Sequence, residues 1–290
     1  MTLLDMQKEN GKKKIHQRLA EWLCRHRRGG IARRIGELAY LVGRAYENRN
    51  FDMETNGEEW LLRQVASLGG ARCLFDVGAN VGDWSLRARQ FLPDAAIHAF
   101  EIAPPVFAVL KDKVSHLDQL VLNPVGLSDQ KGEIEIFYAE GFDYCTTAYR
   151  EHLSPAYATG GVEASPDKSL RVPVIRGDDY LQDQRIDRVD VLKLDVEGME
   201  GRVLAGFENA FRRRGIRVVQ FEYNTTNIVS KFLLRDAHEF FGKFGYRVGK
   251  LYPNYVDFRD YHFRQEDFCG PNMIAAHRDD VELLRVLQPA

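Results

Sequence analysis

Acidic residues close several apolar runs in this chain, and glycines follow the first of them at short intervals. The stretch "LFDVGANVGDWS", residues 74 to 85, carries Asp76 and then Gly78, Asn80 and Gly82. Glu101 closes the run "AAIHAFE", 19 residues beyond Gly82, while Asp195 closes "VDVLKLD" and Glu222 stands near the end of "RVVQFEY". A carboxylate so placed can accept hydrogen bonds from two hydroxyls at once, or take the proton of one. Glycine lets the backbone take positive φ and lets a ligand come close, and a helix start presents unpaired N–H groups. Asp76 to Gly82 therefore predict a tight turn that holds something polar.

Such residues need a scaffold that brings strand ends together. "ARCLF" predicts a buried strand, and Trp84, Leu86, Ala88, Phe91 and Leu92 recur at helical spacing after Gly82. "AAIHAFE" predicts a second strand, "PPVFAVLKDKVSHL" a helix with Val106, Leu110, Val114 and Leu117 on one face, and "LVLNPVGLS" a third strand. After an edge-like "GEIEIFYAE", residues 140 to 170 are rich in Gly, Ser, Pro and aromatic residues with weak periodicity, and predict an inserted loop region facing substrate. Alternation resumes with "VDVLKLD", a helix from about Glu200, the strand "RVVQFEY", the helix "LLRDAHEFFGKFG" and the closing strands "YRVGKLY" and "NMIAAHR". Alternating strands and helices predict an α/β fold with a parallel sheet and helices on both faces. Residues 1–55 predict a helical appendage broken at Gly29-Gly30, and residues 56–290 the α/β domain.

The 290 residues are 44% hydrophobic with net charge -2, enough apolar material for a sizeable core. No apolar run approaches the ~20 residues of a membrane span. Cys24, Cys73, Cys145 and Cys269 form no C-x-x-C pair, which fits a reducing cytoplasm. No apolar segment with a cleavage site marks a secretion signal. Residues 8 to 35 carry ten Lys/Arg against two Glu. That basic segment reads as a solvated helix face, as a peripheral contact with the inner face of an anionic membrane, or as a homo-oligomer contact through Ile15, Leu19, Trp22 and Leu23. Nucleic acid is not expected, because the acidic remainder would repel phosphate.

Three ligand classes use a strand, a glycine turn and a helix. A P-loop needs G-x-x-x-x-G-K-[ST], which does not occur. A dinucleotide site wants G-x-G-x-x-G, and the glycines after Asp76 are out of that register, which weakens the NAD(P) oxidoreductase reading. The pattern Asp76, Gly78, Asn80, Gly82 instead resembles the first motif of class I S-adenosylmethionine-dependent methyltransferases. With "HAFEIAPP", "VGLSDQKGEIEIF", "VDVLKLDVEGME" and "VVQFEY" in this order, the chain resembles the FkbM family over roughly residues 56 to 277, the K-x-D-V-E-G stretch at Lys193 to Gly198 being most distinctive. One departure is visible: the family commonly has Pro directly after the strand-two Glu, and this chain has Ile102-Ala103 before Pro104.

The resemblance implies a Rossmann-like methyltransferase sheet, S-adenosylmethionine as cofactor and an O-methylated acceptor, chiefly a saccharide or polyketide-type hydroxyl. It implies that Asp76, Gly78, Asn80 and Gly82 hold the methionine end, Glu101 the ribose, and Ile102, Gly126, Leu127 and Ser128 the adenine side, with Asp195 at the cofactor's edge. For the chemical step the candidates are Asp195, Glu222, Glu197, Lys193 and His262. Glu197 has the alternative of capping the next helix, and His262, in "YVDFRDYHF", of being a packed histidine. Asp195, Glu222 and His262 together offer oxygen and imidazole ligands for a divalent metal such as Mg²⁺. A non-catalytic scaffold that keeps the fold and acts at a membrane through its basic arm is the remaining alternative.

Overall fold

The computed structural model describes residues 14–138, 146–154, 168–270 and 272–289. The chain separates into two units, residues 1–47 and 48–290. The first holds two helices, α1 (Ile15–Arg25) and α2 (Gly30–Tyr46), with the break at Gly29. The boundary falls earlier than residue 55 because the next residues are tied into the second unit. Asn48 Nδ2 donates to the carbonyls of Asn56 and Leu251, at 2.8 and 3.0 Å.

Among the described residues the second unit holds eleven strands: β1 (Cys73–Val77), β2 (Ala96–Phe100), β3 (Leu120–Asn123), β4 (Gly126–Ser128), β5 (Gly132–Tyr138), β6 (Lys168–Arg176), β7 (Val189–Leu194), β8 (Ile216–Glu222), β9 (Tyr246–Tyr252), β10 (Tyr255–Phe258) and β11 (Asn272–His277). Eight of them form one sheet in the order β10-β9-β11-β8-β7-β1-β2-β3. β3, β2, β1, β7 and β8 pair in parallel, whereas β11 runs antiparallel to both β8 and β9. β1 and β7 are buried at every position, which explains why both read as apolar runs without alternation. Apolar clusters fill both faces: Phe75, Phe207, Phe211 and Phe221 belong to one, and Leu61, Leu74, Trp84 and Ile97 to another.

"LVLNPVGLS" does not form a single strand. Pro124 lacks an N–H and cannot continue a ladder, and the run divides into β3 in the main sheet and β4 in a second sheet of order β4-β6-β5. β5 is an edge of that small sheet, in line with its alternating pattern. The strand β6 begins at Lys168, inside the stretch expected to be loop, and pairs antiparallel with β5. Of the inserted region, residues 139–145 and 155–167 lie outside the described residues.

Candidate active site

Successive crossovers leave β1 in opposite directions, toward β2 on one side and β7 on the other. At such a switch point the carboxyl ends of neighbouring strands open a crevice, where open α/β sheets bind ligands. Gly78 leaves β1 at φ +80°, and a Cβ there would lie 1.8 Å from the carbonyl oxygen of Asp195, so only glycine lets the two strand exits pass. The N–H groups of Gly78 and Ala79 both donate to the carbonyl of Phe100. That bond pins the turn to the end of β2.

A cleft of about 160 Å³ lies at this edge. Gly78, Asn80, Glu101, Ile102, Gly126 and Leu127 line it together with Asp195 and Glu197, and with Ile134 and Ile136 of β5. Glu101 is buried; its Oε2 accepts from the Asn80 N–H at 2.9 Å and its Oε1 from the Ala103 N–H at 2.8 Å. Burial pushes its pKa up, and the backbone donors oppose that shift. Each oxygen keeps acceptor capacity toward the cleft. Ile102, where the family commonly has Pro, adds apolar wall, and a Cβ on Gly126 would come within 2.4 Å of its Cδ1. A recessed carboxylate beside such walls fits a ribose and its adenine.

Other expected cofactor contacts are not on the cleft wall. Asp76 is fully buried; it accepts from Ser85 Oγ at 2.7 Å and pairs with Lys193 at 3.3 Å. Its side chain braces the turn from behind. Gly82 caps α3 (Asp83–Phe91) at φ +89°, and a Cβ there would strike Leu110. Its role is helix packing. Ser128 is fully buried and donates to Asp129 Oδ1 at 2.9 Å.

Residues 76–248 match the family model described as the Methyltransferase FkbM domain. The chain belongs to the FkbM methyltransferase family. It is 34% identical over 167 residues to 31-O-demethyl-FK506 methyltransferase FkbM of Streptomyces tacrolimicus, covering 51% of this chain and 64% of that protein. It is 28% identical over 149 residues to hexuronic acid methyltransferase AglP of Haloferax volcanii, covering 51% and 54%. It is 26% identical over 159 residues to 2-O-methyltransferase NoeI of Sinorhizobium fredii, covering 52% and 63%. The matches thus span somewhat over half the length of these relatives. Among solved structures, a precorrin-6y C5,15-methyltransferase from Geobacter metallireducens superposes with a TM-score of 0.39 at 15% identity, covering 75% of this chain and 86% of that one. Family membership carries S-adenosylmethionine as the cofactor.

The distinctive K-x-D-V-E-G stretch of this FkbM domain forms the end of β7 and the turn after it. Lys193 is buried, with its ammonium 3.3 Å from both Asp76 and Asp195. Burial works against its charge, but the two aspartates outweigh burial and hold its pKa above the ordinary lysine value. Asp195, Glu197 and Glu222 each place a carboxylate oxygen within 4.8 Å of the others. Burial first, then Asp195 and Glu200, push Glu197 up to about 8; burial, Asp195 and Glu197 raise Glu222 well above the usual carboxylate range. Glu197 does not cap the following helix. The next acid does the local bonding: Glu200 Oε1 accepts from the N–H groups of Val196 and Gly198, at 3.2 and 3.4 Å.

His262 does not join this group. Its ring is exposed and accepts from the Arg264 N–H at 3.2 Å in a short 3-10 turn, so the third member beside Asp195 and Glu222 is Glu197. The histidine at the site is His152, whose Nε2 lies 3.6 Å from Glu197 Oε2. It comes from the inserted region, where Thr147 Oγ1 also donates to the carbonyl of Glu197 at 3.0 Å and Tyr149 packs on Gly198. No periodicity in that region marks His152 or Thr147 beforehand. Ile134 and Ile136 did carry a signal, the alternation of "GEIEIF".

Proposed function

We propose that the protein is an S-adenosylmethionine-dependent O-methyltransferase whose acceptor is a hydroxyl of a saccharide or glycan. The observation that carries this reading is the Asp195, Glu197 and Glu222 cluster beside the Glu101 cleft. When bound, the cofactor supplies a methyl group activated on a sulfonium. Glu101 would accept hydrogen bonds from the ribose hydroxyls, Ile102 and Leu127 would flank the adenine, and the backbone from Gly78 to Asn80 would hold the methionine end. Asp195, whose side chain is 43% exposed, presents its carboxylate to the acceptor. The cluster would take the proton of the acceptor hydroxyl and leave its oxygen able to receive the methyl group. Positioning of that oxygen by these residues would supply much of the acceleration. Similarity to a hexuronic acid methyltransferase and to a 2-O-methyltransferase supports a sugar-like acceptor.

A second reading is favoured by the mutual closeness of the three carboxylates. They are hard oxygen ligands, and a Mg²⁺ ion held by them would relieve their repulsion and lower the acceptor's pKa. The basic N-terminal helices supply a peripheral contact, with a membrane face or a second copy of the chain.

The test is methyl transfer from labelled S-adenosylmethionine to a panel of mono- and oligosaccharides, with and without a chelator. Labelled product from a sugar supports the proposal, and loss with chelator selects the metal-assisted form. Nicotinamide turnover without methyl transfer would replace it with an oxidoreductase. Cofactor binding with no transfer to any acceptor would favour a scaffold.

A further inference from the structure

We propose that the N-terminal unit docks on an anionic lipid bilayer, with α1 and α2 lying in its surface as amphipathic helices. The inference rests on the peripheral contact assigned above to these helices and commits it to one partner. Ile15, Leu19 and Trp22 recur at helical spacing along α1, and all are exposed. Along α2, Ile31, Leu38, Val42 and Tyr46 form a second stripe, 70%, 62%, 59% and 77% exposed. Ala32 is the one buried residue of the two helices. A helix of a globular protein normally buries its apolar stripe against a core. Among the described residues of this unit, these stripes have no such cover.

Charge selects the occupant. Over residues 14–47 Lys14, Arg18, Arg25, Arg27, Arg28, Arg33, Arg34 and Arg44 face only Glu21, Glu37 and Glu47. A second copy offers the helices the same positive charge that they carry themselves. An anionic bilayer offers headgroup charge and an apolar interior to the same pair of stripes. Trp22 and Tyr46 belong to the aromatic types that settle at headgroup depth. No described helix is long and apolar enough to cross a membrane, so the contact is one of lying on the surface.

The test is sedimentation of the full chain with vesicles of phosphatidylcholine alone, or mixed with phosphatidylglycerol, at low and high salt. We expect binding to the anionic vesicles only, reduced at high salt. In full-length protein carrying Arg27→Gln, Arg28→Gln, Arg33→Gln and Arg34→Gln together, partitioning should fall at least about tenfold. Trp22→Ala with Leu38→Ala should weaken it as well. Circular dichroism of each variant confirms that the helices persist, and calorimetry with S-adenosylhomocysteine reads the α/β unit separately. Equal binding to neutral vesicles, or no binding to either, overturns the inference. A lipid-free dimer by light scattering that the Trp22→Ala and Leu38→Ala pair dissociates would assign the stripes to a second copy. None of these outcomes depends on methyl transfer, so the catalytic reading stands or falls apart from them.

Discussion

Lys193 and Asp76 are direct register partners on the neighbouring parallel strands β7 and β1, and their side chains meet at 3.3 Å behind the cofactor turn. The same ammonium reaches Asp195 at 3.3 Å, so one buried cation joins the glycine turn after β1 to the carboxylate cluster after β7. Replacing Lys193 by Met would leave the Asp76 carboxyl group buried without its cationic partner. Removing one member of such a pair costs about 3 to 5 kcal/mol. Urea denaturation of Lys193→Met should show a loss of that size, and the added Asp76→Asn change should recover part of it.

Glu101 is expected to carry cofactor affinity in two ways, through the ribose and through the Asn80 and Ala103 N–H groups that it anchors. Glu101→Ala should weaken S-adenosylhomocysteine binding by about 1.5 to 3 kcal/mol, or roughly ten- to a hundredfold. Titration calorimetry giving wild-type affinity would remove Glu101 from the site.

The chemical step should fail when the cluster loses charge while the fold survives. Asp195→Asn and Glu222→Gln should each lower turnover by about 10² to 10⁴ with little change in cofactor affinity. Single-turnover assays with and without added Mg²⁺ separate a lost base from a lost ligand. Near-wild-type turnover in both variants would move the chemistry to His152 and the inserted region.

The crowding of carboxylates also sets a pH dependence. Glu197 is raised from the ordinary value of 4.5 to about 8, so between those limits the folded protein binds the proton more tightly than the unfolded chain does. Its contribution to stability is therefore full below about pH 4.5 and declines as pH rises toward about 8. Melting temperature should fall across that window for the wild type, and Glu197→Gln should flatten the slope. Turnover should climb over the same range as the cluster loses its proton, and added Mg²⁺ would shift both curves to lower pH if the cluster holds the ion.

Truncation at Glu47 should leave a folded, cofactor-binding unit, because the unit boundary falls there. Truncation at Gly57 should not be as benign. It removes Asn48 and also Asn56, whose Nδ2 donates to Glu58 Oε1 at 2.8 Å, while Glu58 Oε2 accepts from the buried Gln220. Losing those bonds is expected to cost about 2 to 4 kcal/mol more, read by urea midpoints of the two truncated chains.

Much of this site could be read from residue order because strand ends, glycines and acids lie at characteristic separations. Glu101 and Asp195 stand where apolar runs stop, and the structure brings both to one cleft. What the pattern could not decide was which way a strand-end acid turns. Asp76 and Asp195 close equivalent runs, yet one is sealed behind the turn and the other is half exposed, because Lys193 lies between them. His262 drew notice through its aromatic neighbours, while His152 had no periodic context to mark it. The split of "LVLNPVGLS" into two sheets was signalled only by Pro124.

The placement of β11 between β8 and β9 has a consequence for how the chain is made. β11 is buried at all six positions and, among the described residues, is the strand that pairs both with the parallel strands at β8 and with the β9–β10 hairpin at β9. A growing chain that stops short of residue 272 can assemble β3, β2, β1, β7 and β8, but leaves open edges on β8 and β9. Such edges invite pairing with other chains. During synthesis the cofactor crevice can therefore form before the sheet is complete, and the interval before Asn272 to His277 emerges is when this chain is most exposed to misassembly.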